Sequence, residues 1–236
     1  MRMTNWISGC ARVAMTLAAI AMCTPGARAA LTYLDASKDN TGPLSAFTAG
    51  TNGQADDDLW TVRTGFSVGS TFIQSGDGNG EDSPELTTTI TGLAANSPYR
   101  VYVHFWDGSG TAPDWNIRAG FTSSPGGNTL FANPTDAPDL GATPAVLAST
   151  LAYVNPPTPF TESDRTQFAG LVGIALSDGS GNLNVYIDDL PSQIGVNNRT
   201  WYDGVSYELV PEPTGAMLAM IGGAFGLVAA RRRNRK

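Results

Sequence analysis

The sequence predicts an all-β protein folded as a β-sandwich, and three observations carry that prediction. Gly and Pro fill 27 and 15 of the 236 positions, a density of turn formers that suits many short strands. Charged residues make up 15% of the chain, against about 25% in an average soluble protein, which argues against a helical bundle or coiled coil. Apolar residues between positions 30 and 210 recur with period two, and no segment there repeats convincingly at the helical period. A hydrophobic content of 42% is too high for a disordered chain, and long apolar runs occur only at the two ends, which excludes a polytopic membrane protein.

The first element is an export signal. Arg2 and Arg12 flank a stretch that turns apolar from Val13 to Met22, and Pro25 and the small run Ala27-Arg28-Ala29 follow. This reads as a secretory signal peptide over 1–29, cut by signal peptidase after Ala29, and too short to span a bilayer stably. Met22 is too bulky for lipoprotein processing at Cys23. Both cysteines, Cys10 and Cys23, therefore leave with the signal, and the mature chain has neither thiol nor disulfide.

Strands follow in order. β-type runs lie at Leu31 to Leu34, Leu59 to Arg63, Thr71 to Gln74 and Leu86 to Ile90. From Tyr99 to Trp106 the residues Val101, Val103 and Phe105 share one face while Tyr102, His104 and Trp106 share the other; both are largely apolar, as in a central strand covered on both sides. Trp115, Ile117, Ala119 and Phe121 alternate with polar or small residues, which predicts a strand with one wet face. The 107–113 segment joins the two as a loop. Ala137 to Pro159 carries five prolines and reads as a long connection, with 145–151 either a short strand or one helical turn. Thr166 to Leu176 and Leu183 to Leu190 flank the turn 177–182 and predict a hairpin. Thr200 to Leu209 closes the set, making nine or ten strands in one domain, 30–209.

The last element is a second address. Val210-Pro211-Glu212-Pro213 precedes an apolar run from Gly215 to Ala230, and the chain ends Arg231-Arg232-Arg233-Asn234-Arg235-Lys236. A helix over 215–230 would be about 24 Å long, short of the roughly 30 Å hydrocarbon core, with local thinning or snorkelling arginines closing the gap. The basic end holds the C-terminus in the cytoplasm. This order of parts over 210–236 resembles the PEP-CTERM sorting signal: a Pro-Glu-Pro motif, a single transmembrane helix and an arginine-rich tail. The resemblance implies that Pro211, Glu212 and Pro213 are read by a membrane-embedded exosortase, that Arg231, Arg232, Arg233 and Arg235 form the membrane tail, and that anchoring at the inner membrane is transient. An ordinary tail anchor behind a proline-rich stem is the other reading.

Two weaker resemblances concern the sandwich. Leu86 to Leu93, followed by Tyr99 and the Val101 strand, resembles the corner of fibronectin type III domains in which a tyrosine hydroxyl caps the preceding turn, a role that falls to Tyr99. The chain is too long for one such domain, and a jelly-roll-like sandwich accommodates it. The ending Trp201-Tyr202-Asp203-Gly204-Val205-Ser206-Tyr207 is similar to the last strand of jelly-roll carbohydrate-binding modules.

Charge narrows the partners. The exported part carries six basic residues, Lys38, Arg63, Arg100, Arg118, Arg165 and Arg199, against twenty acidic ones, a net charge of minus 14. Such a surface repels nucleic acid and anionic lipid and favours divalent cations. His104, the lone histidine, sits mid-strand and reads as structural; with no thiol left, a zinc site of His and Cys is excluded. No catalytic residue stands out. Calcium is the one cofactor the composition suggests: Asp77, Asn79, Glu81 and Asp82 combine hard oxygens with flexible glycines, although a solvated acidic turn has the same composition. Asp56-Asp57-Asp58 offers a similar cluster. Asp178, Ser180, Asn182 and Asp189 have partial EF-hand spacing but lack the required glycine, so that segment reads as a turn. Trp106 and Trp115, with Asp107 and Asp114 framing the loop between them, would on a surface stack and hydrogen-bond a sugar; the other reading, the usual one for tryptophans in a sandwich, is core packing. The resulting expectation is an exported, non-enzymatic cell-surface or extracellular-matrix protein sorted by an exosortase and contacting polysaccharide. The alternatives are an exported carboxylate-dependent glycoside hydrolase and a purely structural matrix subunit.

Overall fold

The computed structural model describes residues 30–48, 59–74, 82–108, 115–189 and 200–211. Fourteen strands and one short α-helix, besides three turns of 3-10 helix, are present among them: β1 (Thr32–Asp35), β2 (Thr41–Gly42), β3 (Trp60–Thr64), β4 (Ser70–Gln74), β5 (Leu86–Ile90), β6 (Pro98–Gly108), β7 (Asn116–Gly120), β8 (Thr129–Ala132), α1 (Ala137–Leu140), β9 (Thr143–Pro144), β10 (Val146–Leu147), β11 (Thr161–Glu162), β12 (Arg165–Leu176), β13 (Leu183–Asp188) and β14 (Trp201–Leu209). They form two sheets. The larger runs β10-β12-β6-β14-β4-β3, with β1 on β14 and β11 on β12; the smaller runs β2-β5-β13-β7-β8-β9. The all-β sandwich is thus present, and all nine runs read from alternation are strands.

Alternation decides which side chains meet between the sheets. Val101, Val103, Phe105, Tyr202 and Val205 of the larger sheet face Leu86, Ile90, Ile117, Phe131, Val185 and Ile187 of the smaller, all in one buried cluster. Burying each such side chain contributes about 1.5–3 kcal/mol. Gly170 lets Phe131 across: a Cβ there would lie 2.6 Å from its ring. Thr88 is the polar exception on the inner face, satisfied at 2.6 Å by the Tyr202 hydroxyl and at 2.8 Å by Thr41.

β6 is the central strand, between β12 and β14, and is covered on both faces as its composition requires. Its outer residue Tyr102 packs with Leu31, Ala148 and Ala169, and the proline-rich connection supplies Leu151 and Tyr153 to the same cluster. That connection is therefore a lid on the larger sheet; its 145–151 piece is both β10 and a turn of 3-10 helix at Ala148–Thr150. Tyr99 makes the corner contact, its hydroxyl accepting the Ala94 N–H at 2.9 Å.

Two expectations are corrected. The segments flanking 177–182 are not a hairpin: β12 pairs with β6, β10 and β11, while β13 pairs with β5 and β7 in the other sheet. The intervening turn carries the chain across the sandwich edge, where Ser177 Oγ is tied to the Ala94 carbonyl and the Ser97 N–H. Local turn chemistry is the same for both outcomes, so alternation alone could not separate them. Nor does β7 have a wet face, since only Arg118 is half-exposed and Asn116 is buried. β8 lies beside it, and Thr200, just ahead of β14, packs on it, its Oγ1 donating to the Asn116 carbonyl at 2.8 Å.

Candidate functional site

The proposed sugar-stacking surface at Trp106, Asp107 and Trp115 is an interior. Trp106 is 0% and Trp115 4% exposed, in a cluster with Phe66, Ile73 and Trp201. Trp115 stacks on Trp201 with centroids 4.5 Å apart, and Phe66 meets Trp106 and Trp201 edge-on. The Arg165 guanidinium closes the stack, 4.4 Å from the Trp201 ring centroid and 5.2 Å from that of Trp115. With every large ring covered, the three tryptophans present no flat face for a sugar. Asp114 lies outside the described residues. Asp107, also buried, accepts the Trp115 N–H at 3.3 Å and the Asn133 amide; burial, aided by Asp136, pushes its carboxyl up to about 6.

Trp106 is anchored by a residue that sequence reasoning left without a role. Asp203 is fully buried, and Oδ1 accepts the Trp106 indole N–H and the Thr71 hydroxyl, each at 2.9 Å. Oδ2 accepts the Tyr33 hydroxyl at 2.6 Å and the Gln167 amide. Five strands thus converge on one carboxylate. Burial raises its pKa, and the hydrogen bonds from Tyr33, Trp106 and Thr71 oppose the rise. Asp203 reaches this place because β14 bulges there, Tyr202 pairing with Phe105 but Gly204 with His104. The Asp-Gly pair inside an apolar strand was the available signal. His104 is likewise structural: fully buried, with Nε2 2.8 Å from Ser206 Oγ, its pKa lowered by burial to about 3.

Of the four residues expected to bind calcium, Asp77, Asn79 and Glu81 lie outside the described residues, as does Asp56-Asp57-Asp58. Asp82 is described and exposed. It adjoins a corner the sequence reading did not assemble, where Ser83 and Glu85 meet Asp188 and Asp189 at the end of β13. No group of three or more His, Cys, Asp or Glu side chains stands ready to hold a metal among the described residues. Asp178 is a turn residue, its Oδ1 accepting the N–H groups of Ser180 and Asn182 at 2.8 Å each.

The surface does carry a groove of about 790 Å³ beside β2. Lys38, Asp39, Thr87, Thr89 and Thr91 supply polar groups, and Leu34 and Tyr207 give it an apolar floor. Asn40 sets its wall, donating to the Asp35 carbonyl at 2.8 Å and accepting the Ser37 N–H at 2.9 Å. The threonines face outward because Leu86, Thr88 and Ile90 take the inner side of β5. A smaller hollow of about 340 Å³ lies between Phe121, Tyr186, Asp178 and Asn184.

At the C-terminal end Pro211 is exposed, while Glu212, Pro213, the 215–230 run and the arginine tail lie outside the described residues, as does 1–29. Among the described residues no helix is long and apolar enough to cross a membrane. Comparison with protein-family models, with characterised proteins and with solved structures returns no match.

Proposed function

We propose that this is an exported cell-surface or extracellular-matrix protein, a non-enzymatic sandwich of jelly-roll type that binds polysaccharide and is sorted by an exosortase. The order of signal peptide, sandwich, Pro211-Glu212-Pro213, apolar run and arginine tail supports the sorting. The observation that carries the binding is the Lys38–Thr89 groove, since hydroxyls, one cation and one carboxylate over an apolar floor with a tyrosine suit a polyhydroxylated chain. This groove replaces the tryptophan loop as the ligand surface. Glycan-array binding and affinity electrophoresis in polysaccharide gels test it. Retention by at least one acidic or neutral polysaccharide is expected, weakened about tenfold by Thr89→Val with Lys38→Ala, a loss near 1.4 kcal/mol. A blank screen favours the structural subunit, and release of reducing ends favours the hydrolase. In cells, alanine at Glu212 and its flanking prolines is expected to leave the chain in the inner membrane.

A further inference from the structure

The buried carboxylates of this fold differ in how their oxygens are satisfied. Asp203 and Asp107 each have a hydrogen-bond donor on both oxygens. Asp189 does not. It is fully buried, its Oδ2 accepts the Ser83 N–H at 3.0 Å, and its Oδ1 has no partner. The Ser83 hydroxyl, 2% exposed, and Oε2 of Glu85 are also buried oxygens without one. Register explains the gathering: Ile187 pairs with Leu86, so Asp188 and Asp189 continue alongside Glu85 and Pro84.

The local charge makes matters worse for an isolated carboxylate. Burial pushes Asp189 up to about 8, and its charged neighbours Asp188 and Asp82 add to the rise. Asp188 is pushed up to about 6 by burial and by Asp82 and Glu85, with Arg118 opposing. A buried charge persists when it is paired or coordinates a metal. A proton neutralises one carboxyl and leaves the neighbouring oxygens as they were, whereas a divalent cation satisfies several together.

We propose that the corner formed by Asp82, Ser83, Glu85, Asp188 and Asp189 binds a divalent cation, with calcium the ion that its all-oxygen chemistry fits. Calcium accepts six to eight oxygens in adaptable geometry, waters included, while zinc favours nitrogen and sulfur. The described side chains do not form a closed cage beforehand. The ion therefore draws Asp82, exposed at the rim, and Glu85 toward Asp189 Oδ1, and so clamps the segment entering β5 onto the end of β13. An extracellular module needs only a Kd of about 0.1–1 mM for such a clamp.

The corner contains its own reporter. The Trp60 indole donates to the Pro84 carbonyl at 2.9 Å, one residue from Ser83, close enough to sensitise terbium luminescence. With the purified full-length chain, tryptophan excitation in the presence of Tb³⁺ is expected to give terbium emission that calcium displaces, and calcium is expected to raise the thermal midpoint several degrees above its value in EDTA. Asp189→Asn, nearly isosteric and relieved of its charge, is expected to lose both signals while folding normally in EDTA. Glu85→Gln, only half-buried, is expected to weaken calcium about tenfold. Absence of either signal from the wild-type chain, or survival of both in Asp189→Asn, overturns the proposal.

Discussion

Asp203 shows how a single side chain can organise a sandwich. Its donors come from β1, β4, β6 and β12, four strands spread across the larger sheet. An unpaired buried donor costs about 1–3 kcal/mol, so Asp203→Ala leaves four such debts at once. After partial relaxation the expected destabilisation is about 4 kcal/mol, roughly 10 °C in thermal midpoint for a chain of this size. Trp106→Phe removes one donor and leaves a carboxylate with three, and about 2 kcal/mol is expected. Urea unfolding of the two variants checks the ranking; equal effects would mean that packing of the indole outweighs the carboxylate network. From the sequence Asp203 reads only as part of a closing strand, because a carboxylate inside an apolar run does not announce its partners. They lie 36 to 170 residues away.

Among the elements, β14 carries the most. It pairs with β6 on one side and with β4 and β1 in succession on the other, changing partner around the bulge. Gly204 permits this. A Cβ there would lie 2.4 Å from the Leu34 carbonyl oxygen and 3.1 Å from the Ala36 nitrogen, both backbone atoms that cannot step aside cheaply. Gly204→Ala is therefore expected to cost about 3 kcal/mol, measured by thermal or urea unfolding, and to loosen β1 first in hydrogen exchange. Strand existence was legible because alternation is local: each of the nine runs read from sequence became a strand. Pairing was less so. β12 and β13 looked like a hairpin because six polar and small residues join them, yet a chain can cross between sheets at such a turn. The short strands β2, β9, β10 and β11 have two residues each, too few for any period to register.

For the whole molecule, buried titratable groups pull stability in opposite directions with pH. Asp107 holds its proton to about pH 6 when folded and to about 4 when unfolded. The native state thus binds more protons in that window, and stability from this group is complete below about pH 4 and lost as pH rises through 6. His104 is the reverse: its folded pKa is near 3, against 6.5 in a free chain, so its stability is present above about pH 6.5 and lost as pH falls toward 3. Asp35 and Asp188, both pushed up to about 6 chiefly by burial, act in the sense of Asp107. Difference measurements isolate single groups. In EDTA, Asp107→Asn is expected to gain on the wild type by up to about 3 kcal/mol between pH 4 and 6, and His104→Gln is expected to gain as pH falls below 6. Chemical denaturation across that range checks both signs.

The sequence by itself determined the class and the strand-forming runs, because alternation and turn chemistry are written in neighbouring residues. It also marked His104 as structural and Tyr99 as a corner residue. Only the tertiary structure decided that Trp106, Trp115 and Trp201 face inward, that Asp203 is the hub of the larger sheet, and that Asp189 is buried among other acids. Those outcomes, including the unpartnered Oδ1 of the buried Asp189, depend on which strands become neighbours, and strand pairing joins residues a hundred positions apart through contacts that no local pattern encodes.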